Sequence, residues 1–298
     1  MKSRPLLALG GAALLYAFIE PWRLDIRRFD VHLENLPAEA ENLRVLQISD
    51  LHAGAIMPRA LLRRILAACR DENPDLIALT GDLVSRRDSY SRFTFARYWA
   101  SPIMEYAAQV AREIGALHPR LGIWAVPGNH DLWNGSFAPV ADVLAASGIE
   151  TLRNRAIRLK NGLVVAGLDD LRAGYPDFRS AFAGTEADEA QLILNHNPRA
   201  AMLLSTRNAL ILSGHTHAGQ VRLRGSQMRA FPVDLGRSFY LDGFYNLERA
   251  QLYVSRGAGT VHLPMRFGAR PEIAVFTLKR AQKGRETGFH RHFWRASR

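Results

Sequence analysis

Two histidines separated by one threonine follow an apolar stretch in the segment ILSGHTHAGQ, residues 211–220. In an extended chain, residues two positions apart point to the same side, so the imidazoles of His215 and His217 would face the same space. Imidazole is a common metal ligand, and two imidazoles at the end of a buried strand favour a metal site. A histidine alone is more often a structural residue, so a metal site requires further ligands elsewhere in the chain.

Other apolar stretches also end in residues that can bind metal. The five stretches are LRVLQISD at 43–50, DLIALTGD at 75–82, GIWAVPGNHD at 122–131, AQLILNHNP at 190–198 and ALILSGHTH at 209–217. Helical periodicity is visible between Pro58 and Pro74, at 103–117 and at 139–148. Strands that alternate with helices predict an α/β fold. The strand-rich second half, with a hairpin around 161–162, predicts a mixed or two-sheet layered domain.

The ends of these stretches predict one shared site, because ligands of open α/β sheets gather at the carboxyl ends of strands. Each residue alone has an ordinary structural explanation as a helix cap, a turn residue or a buried histidine. Their occurrence at the ends of five strands favours a common chemical role. The residues expected to meet are Asp50, His52, Asp82, Asn129, His130, His196, His215 and His217.

The chemistry of this set favours divalent transition metals. Mixed carboxylate, amide and imidazole ligands suit Mn, Fe or Zn better than Ca or Mg. The ligands are too many for one catalytic metal that keeps a coordination position open. They suit two metals about 3.5–4 Å apart, which can lower the pKa of water and stabilise both the attacking and the departing oxygen of a phosphoryl displacement.

The residues at the ends of these five stretches, taken in chain order, resemble the motifs of the calcineurin-like metallophosphoesterases. The resemblance covers residues 43–278. Within that family the chain is most similar to the membrane-associated bacterial phosphodiesterase branch, which is similar to the UDP-2,3-diacylglucosamine hydrolases. The resemblance implies an α/β/β/α sandwich with two mixed β-sheets. The matching sequence blocks are Asp50-Leu51-His52, Gly81-Asp82, Gly128-Asn129-His130-Asp131, His196 and Gly214-His215-Thr216-His217, with 32, 47, 67 and 19 residues between Asp50, Asp82, Asn129, His196 and His215.

The resemblance also implies roles for individual residues. It assigns His130 as the proton donor to the departing oxygen, Asp131 as the carboxylate that orients His130, and manganese as the favoured metal. Ala218 departs from the family branch, which often has a second glycine there, but it removes no ligand. The implied ligands are Asp50, His52 and His217 for one metal, Asn129, His196 and His215 for the second, and Asp82 as the bridge.

The expected activity is hydrolysis of a phosphodiester or pyrophosphate by metal-activated hydroxide, on a lipid-linked or nucleotide-linked substrate. Arg222 and Arg224, just past the second histidine block, are candidates to bind substrate phosphate, with a solvated surface as the alternative. Two alternatives to the expected activity are a phosphomonoesterase and a metal-stabilised module that binds anionic lipid or nucleic acid at a membrane surface.

Composition limits the possible partners. The chain has 298 residues, a formal net charge of +11 and 48% hydrophobic residues, so it is a basic globular protein with affinity for anionic molecules. Nucleic acid is disfavoured because the sequence contains no helix-turn-helix, zinc-finger or RNA-binding motif. The segment at 85–107 mixes arginine with aromatic residues. It is either a helix with a buried aromatic face or a lid that contacts lipid.

The two ends of the chain differ from its centre. Residues 5–19 carry no charge and would form roughly 22 Å of helix, shorter than a hydrocarbon core of about 30 Å. A cleaved signal peptide and a buried helix are alternatives, but the lack of a small-residue cleavage site before Glu20 favours a membrane anchor at 1–22. We therefore expect association with a bacterial inner membrane, on a face that the flanking charges do not determine. Residues 279–298 are expected to form a basic, solvated tail, with contact to a lipid surface as the alternative.

Overall fold

A computed structural model describes residues 3–54, 57–85, 103–133, 137–222, 240–281 and 289–291. Within these ranges the α-helices are α1 (Ser3–Ile19), α2 (Arg59–Asp71), α3 (Ile103–Gly115), α4 (Asn129–Leu132), α5 (Ala138–Ala145) and α6 (Phe178–Ala181). The strands are β1 (Asp25–Leu33), β2 (Arg44–Ile48), β3 (Leu76–Leu79), β4 (Ile123–Ala125), β5 (Ile149–Thr151), β6 (Arg155–Arg158), β7 (Val164–Gly167), β8 (Gln191–Leu194), β9 (Ala209–Ser213), β10 (Gly243–Asn246), β11 (Gln251–Val254), β12 (Glu272–Arg280) and β13 (Phe289–Arg291).

The strands form two sheets, and both are mixed. The seven-stranded sheet has the order β13-β1-β12-β2-β3-β4-β5, in which β2, β3, β4 and β5 run parallel. The six-stranded sheet has the order β10-β11-β9-β8-β7-β6, in which β7, β8, β9 and β11 run parallel. The prediction of two mixed sheets is confirmed.

Three apolar clusters separate the layers. Successive residues of a strand point to opposite faces of a sheet. Val45 therefore packs between the two sheets, whereas its neighbour Leu46 packs against α2, α3 and α5. On the far face of the second sheet, Ile193 packs against the 3-10 helix Pro198–Leu203. The resulting order of helices, sheet, sheet and helices is the expected α/β/β/α sandwich.

The five apolar stretches predicted as strands are β2, β3, β4, β8 and β9, and the predicted hairpin is β6–β7. We predicted no element at 25–33, where the structure has β1. Phe29, Val31 and Leu33 of β1 are buried, and the strand runs parallel to β12. Within the predicted tail, Phe289–Arg291 forms β13 and pairs with β1.

The C-terminal half of α1 contacts the loop before β12. The Ala17 carbonyl accepts a hydrogen bond from the Arg266 N–H at 2.8 Å. The buried Glu20 carboxylate accepts hydrogen bonds from the N–H groups of Gly268 at 3.1 Å and Ala269 at 2.8 Å. The outer face of α1 leaves Leu14, Leu15, Phe18 and Ile19 exposed. No helix in the described part of the chain combines the length and apolar character that crossing a membrane requires.

Candidate metal centre

Every predicted metal ligand is buried and lies just past the carboxyl end of a strand. Strands β2, β3 and β4 are parallel neighbours in the first sheet, and β8 and β9 are parallel neighbours in the second. The ligands follow these strands in the order Asp50 and His52 after β2, Asp82 after β3, Asn129 after β4, His196 after β8, and His215 and His217 after β9.

Five of these residues have left-handed backbone conformations that non-glycine residues rarely adopt. Each such residue costs about 1–3 kcal/mol, and positions of this kind cluster at functional sites. The backbone therefore turns sharply where each ligand leaves its strand. The φ angles are 52° at Asp50, 48° at His52, 52° at Asp82, 71° at His215 and 48° at His217.

Two glycines let these sharp turns approach each other. A Cβ atom on Gly214 would lie 2.0 Å from Ser49 Oγ and 2.2 Å from Asp50 Oδ2. A Cβ atom on Gly128 would lie 2.2 Å from Asp82 Oδ1. Any larger residue at these positions would push a ligand carboxylate out of place. Gly128 and Gly214 are therefore required because their backbones contact the neighbouring carboxylates.

The first ligand group contains Asp50, His52 and His217, whose ligand atoms lie within 4.8 Å of one another. His217 Nε2 is 3.0 Å from His52 Nε2 and 3.4 Å from Asp50 Oδ1. The Asp50 carboxylate also accepts hydrogen bonds from Ser49 Oγ at 2.6 Å and from the His215 N–H at 3.1 Å. These contacts fix the carboxylate beside the two imidazoles.

The second ligand group contains Asp82, His196 and His215, and its ligand atoms are equally close. His196 Nε2 lies 3.2 Å from both Asp82 Oδ2 and His215 Nδ1. His196 Nδ1 donates to the Thr80 carbonyl at 2.8 Å, which directs Nε2 to the centre. Asp82 Oδ2 is also 3.6 Å from His52 Nε2, so this one oxygen lies between the two groups.

The donor atoms of the centre suit divalent metal ions. Asn129 is buried, and its Oδ1 has no hydrogen-bond partner. An unpaired buried acceptor costs about 1–3 kcal/mol, which coordination of a cation would offset. Carboxylate and amide oxygens and imidazole nitrogens are ligands that Mn, Fe and Zn accept. The residues therefore fit the divalent metals that the sequence predicts.

Burial and neighbouring charges set the protonation of the ligands. Burial, together with His196, lowers the pKa of His215 to about 3, and burial with adjacent cations also lowers the pKa of His52 and His217 well below the usual value. Burial acts to lower the pKa of His196 too, but Asp82 and other carboxylates raise it well above the usual value. His52, His215 and His217 are thus neutral, each with a lone pair available for a metal. His196 instead favours the cationic form, with a proton on both ring nitrogens.

His130 forms a third group with His52 and Asp82, whose ligand atoms also lie within 4.8 Å of one another. Its ring is 4.7 Å from the His52 ring, and its backbone N–H donates to Asp82 Oδ1 at 2.8 Å. Asp131 is buried, and its carboxylate accepts hydrogen bonds from the N–H groups of Gly128 at 2.9 Å and Val84 at 3.1 Å. These contacts hold the turn that carries Asn129 and His130. Orientation of the His130 ring by Asp131 stays a prediction.

Of the two arginines predicted to bind substrate, the structure describes Arg222 and not Arg224. Arg222 donates to the Asp242 carboxylate at 3.0 and 3.2 Å and to the Gly268 carbonyl at 3.1 Å. Its guanidinium is therefore held in an ion pair. Arg224 and most of the aromatic segment, residues 86–102, lie outside the described residues. Their roles stay predictions.

Two residues near the centre were not predicted. Arg266 is fully buried, and its NH2 group lies 3.3 Å from His217 Nδ1 and 2.9 Å from the Arg256 carbonyl. Asp170 is buried after β7, and its charge contributes to the raised pKa of His196. The stretch VVAGLDD before Asp170 has the same pattern of an apolar strand ending in an acid. No such pattern surrounds Arg266.

Comparison with known proteins supports the centre. Residues 43–219 match the family model described as calcineurin-like phosphoesterase, which covers all the predicted ligands. The chain belongs to this family and is a metallophosphoesterase, a hydrolase of phosphoric esters. The family and the clustered aspartates and histidines together indicate divalent metals as cofactors.

Relatives occur in bacteria and vertebrates. The chain is 29% identical over 278 residues to the uncharacterized metallophosphoesterase YkuE of Bacillus subtilis, with 92% of each chain covered. It is 29% identical over 272 residues to an uncharacterized metallophosphoesterase of Aquifex aeolicus, covering 89% of this chain and 95% of that one. A protein of Danio rerio named transmembrane protein with metallophosphoesterase domain is 32% identical over 273 residues, which are 85% of this chain. The match spans only 56% of the Danio rerio protein.

Proposed function

We propose that the protein hydrolyses phosphodiester or pyrophosphate bonds with two divalent metal ions. Manganese is the favoured metal. The observation that carries this proposal is the pair of buried ligand groups joined by Asp82 Oδ2. Dinuclear centres of this kind are suited to phosphoryl displacement. The proposed ligands are Asp50, His52 and His217 for one ion, Asn129, His196 and His215 for the other, and Asp82 between them.

The protein's own residues contribute orientation and proton transfer. When bound, the metals supply Lewis-acid stabilisation of phosphoryl charge and lower the pKa of water. The His130 backbone N–H donates to Asp82, and the His130 imidazole hydrogen-bonds the phosphate and donates a proton to the departing oxygen. Water loses a proton to solvent, its oxygen bonds to phosphorus as hydroxide, the bond from phosphorus to the departing oxygen breaks, and the departing oxygen leaves with the proton from His130.

The proposed substrate is membrane-associated and anionic, either a lipid-linked diester or a nucleotide-linked pyrophosphate. A net charge of +11 favours anionic substrates. We propose that α1 attaches the protein to the membrane, because Leu14, Leu15, Phe18 and Ile19 form an exposed apolar surface and Trp22 follows them. Side chains of this kind partition into the boundary between lipid headgroups and acyl chains.

The test is hydrolysis of bis(p-nitrophenyl) phosphate and p-nitrophenyl phosphate by detergent-purified protein, with added Mn and after chelation. We expect Mn-dependent turnover that is faster for the diester. His130→Ala should lower kcat by about a hundredfold or more, because general acid catalysis contributes that much. Asp82→Asn should lower both kcat and the bound metal, since it weakens the ligand that both groups share. Asp71→Asn, on the exposed side of α2, is the matched control and should retain activity.

The alternatives predict different results. A preference for the monoester would indicate a phosphomonoesterase. Absence of turnover by folded, metal-loaded protein would contradict the proposal. If such protein also bound anionic vesicles in a salt-sensitive manner, the binding module would become the preferred function.

A further inference from the structure

Arg172 contacts Trp133, whose ring packs against the proposed proton donor His130, and it lies in a turn that has no role in the function proposed above. The guanidinium carbon of Arg172 is 4.9 Å from the centroid of the Trp133 ring, and that ring is 5.1 Å from the His130 ring. The Arg172 side chain is exposed to solvent. Its charge is also among the influences that lower the pKa of His215, after burial and His196. A permanent positive charge therefore lies near the centre, stacked on the tryptophan that contacts His130.

The backbone that carries Arg172 is held by buried carboxylates. Asp170 Oδ1 accepts hydrogen bonds from the N–H groups of Arg172 at 2.9 Å and Ala173 at 2.7 Å. A Cβ atom on Gly174 would lie 2.4 Å from Asp169 Oδ1, so the turn closes tightly on this second carboxylate. Asp169 and Asp170 are both buried. The backbone at Arg172 is thus fixed before a ligand arrives, and the stack on Trp133 restricts the guanidinium, which reduces the cost of binding.

The contact of Arg172 with His130 through Trp133 indicates what Arg172 can recognise. In the proposed reaction, His130 protonates the departing oxygen, so the leaving group lies on the His130 side. When a pyrophosphate diester is attacked at either phosphorus, the new bond forms from water and the bond to the bridging oxygen breaks. The bridging oxygen then departs as part of the other phosphate. The leaving group of a pyrophosphate diester therefore always carries a phosphate, whereas that of a simple diester is an alcohol or phenol.

We propose that Arg172 binds this second phosphate and so favours pyrophosphate diesters over simple diesters. The proposal rests on the proposed function, because it needs the phosphoryl centre and His130 as the proton donor. A guanidinium donates two parallel hydrogen bonds to phosphate oxygens, and stacking on Trp133 keeps its plane oriented. Arg172 would therefore be a substrate-binding residue that determines specificity.

The experiment compares ADP-ribose, a pyrophosphate diester, with bis(p-nitrophenyl) phosphate in the full-length holoenzyme. Arg172→Ala should lower kcat/KM for ADP-ribose by about ten- to a hundredfold, as expected for loss of a charge-assisted hydrogen-bonded pair. The loss for bis(p-nitrophenyl) phosphate should be at least several-fold smaller. Arg172→Lys should fall between the wild type and the alanine variant, because it keeps the charge but not the two-pronged geometry. The inhibition constant of ADP-ribose against bis(p-nitrophenyl) phosphate should rise in the same order.

Arg179→Ala, at an exposed arginine of α6 close in sequence, is the matched control and should change neither substrate's kcat/KM. The metal content and melting temperature of Arg172→Ala should equal those of the wild type, which excludes a folding defect. The role of Arg172 would be overturned if Arg172→Ala lost equal activity on both substrates or no activity on ADP-ribose. It would also be overturned if the wild type hydrolysed only the simple diester and was not inhibited by ADP-ribose. These outcomes would leave the proposed function intact. Lack of wild-type turnover on both substrates would instead contradict the proposed function.

Discussion

The histidines of the centre have similar burial but opposite protonation. His52, His215 and His217 have lowered pKa values, because burial and adjacent cations disfavour their charged forms. His196 has a raised pKa, because Asp82 Oδ2 lies 3.2 Å from its Nε2. Since the Nδ1–H of His196 is directed to the Thr80 carbonyl, the proton that competes with a metal is the one on Nε2. Binding of metal must displace this proton.

Proton release during metal binding is therefore the residue-scale prediction. At pH 8, binding of Mn should release protons, with His196 as a source because carboxylates raise its pKa. At pH 6 the release should be larger, because burial raises the pKa of Asp50 to about 6 and part of that carboxyl is then protonated. The sign follows from the raised pKa values, since both groups bind more protons as the pH falls. Calorimetric titration of chelator-stripped protein in buffers of different ionisation enthalpy measures the release.

The matched variants for this titration are His196→Gln and His118→Gln. The first should lower the release at pH 8. The second changes a histidine on the loop after α3, away from the strand ends that carry the ligands, and should leave the release unchanged. A proton release that is zero at pH 8, or that decreases towards pH 6, would contradict the assigned protonation of His196 and Asp50.

At this scale the gathering of the proposed ligands was predictable and their surroundings were not. Each proposed ligand follows an apolar strand, and carboxyl ends of parallel strands meet, so the sequence predicts that these residues lie together. They are Asp50, His52, Asp82, Asn129, His196, His215 and His217. Arg266 was not predictable from the sequence. It contacts His217 from 49 residues away through a loop without regular structure. Such a contact depends on how the loop folds over the centre, and no local periodicity encodes that path.

At the scale of elements, pairing between distant segments limits what the sequence predicts. Phe29, Val31 and Leu33 alternate with polar residues in β1, which is a strand pattern, although a short one. Its parallel partner β12 begins at Glu272, far along the chain, so the position of β1 in the sheet could not be inferred. Likewise the apolar composition of α1 indicated a helix, but not that its end contacts the loop that carries Arg266.

The contact between the end of α1 and this loop gives the element-scale prediction. Glu20→Ala would leave the N–H groups of Gly268 and Ala269 without their acceptor. Ala269 is buried, whereas Gly268 is exposed and its N–H can bind water, so we expect the free energy of unfolding to fall by about 1–3 kcal/mol, the cost of one unsatisfied buried group. Because Arg266 lies in the same loop and contacts His217, bound metal should also decrease. Denaturant unfolding and metal analysis of the purified protein measure the two effects.

Two variants separate this contact from a general loss of charge. Glu20→Gln keeps one acceptor oxygen and should lose about half as much stability. Glu39→Ala removes an exposed glutamate from the 3-10 helix Ala38–Ala40 and should stay within about 0.5 kcal/mol of the wild type. Equal stability of Glu20→Ala and Glu39→Ala would show that Glu20, in the 3-10 helix Glu20–Trp22 that follows α1, does not stabilise the loop.

At the scale of the whole molecule, a basic protein presents an apolar helix face to solvent. The net charge of +11 attracts anionic lipid, and this attraction weakens as salt screens it. Leu14, Leu15 and Phe18 are 57%, 65% and 46% exposed on one end of α1. Transfer of such side chains out of water is favourable and depends little on screening. Charge attraction and the transfer of apolar side chains both contribute to the proposed membrane attachment, and changing the salt concentration distinguishes them.

The whole-molecule prediction is that α1 supplies the salt-resistant part of vesicle binding. With vesicles of phosphatidylglycerol and phosphatidylethanolamine, the wild type should co-sediment at low salt and retain substantial binding in 0.5 M NaCl. Changing Leu14, Leu15 and Phe18 together to Gln should lower the partition coefficient in high salt by more than tenfold, since each buried side chain contributes about 1.5 kcal/mol or more. The matched control changes Met202 and Leu203 to Gln. These residues are 58% and 68% exposed on a different element, and the control should bind as the wild type does. Equal losses in the two variants would mean that α1 has no special role in binding. A wild type that is released completely by salt would mean that charge alone holds the protein at the membrane.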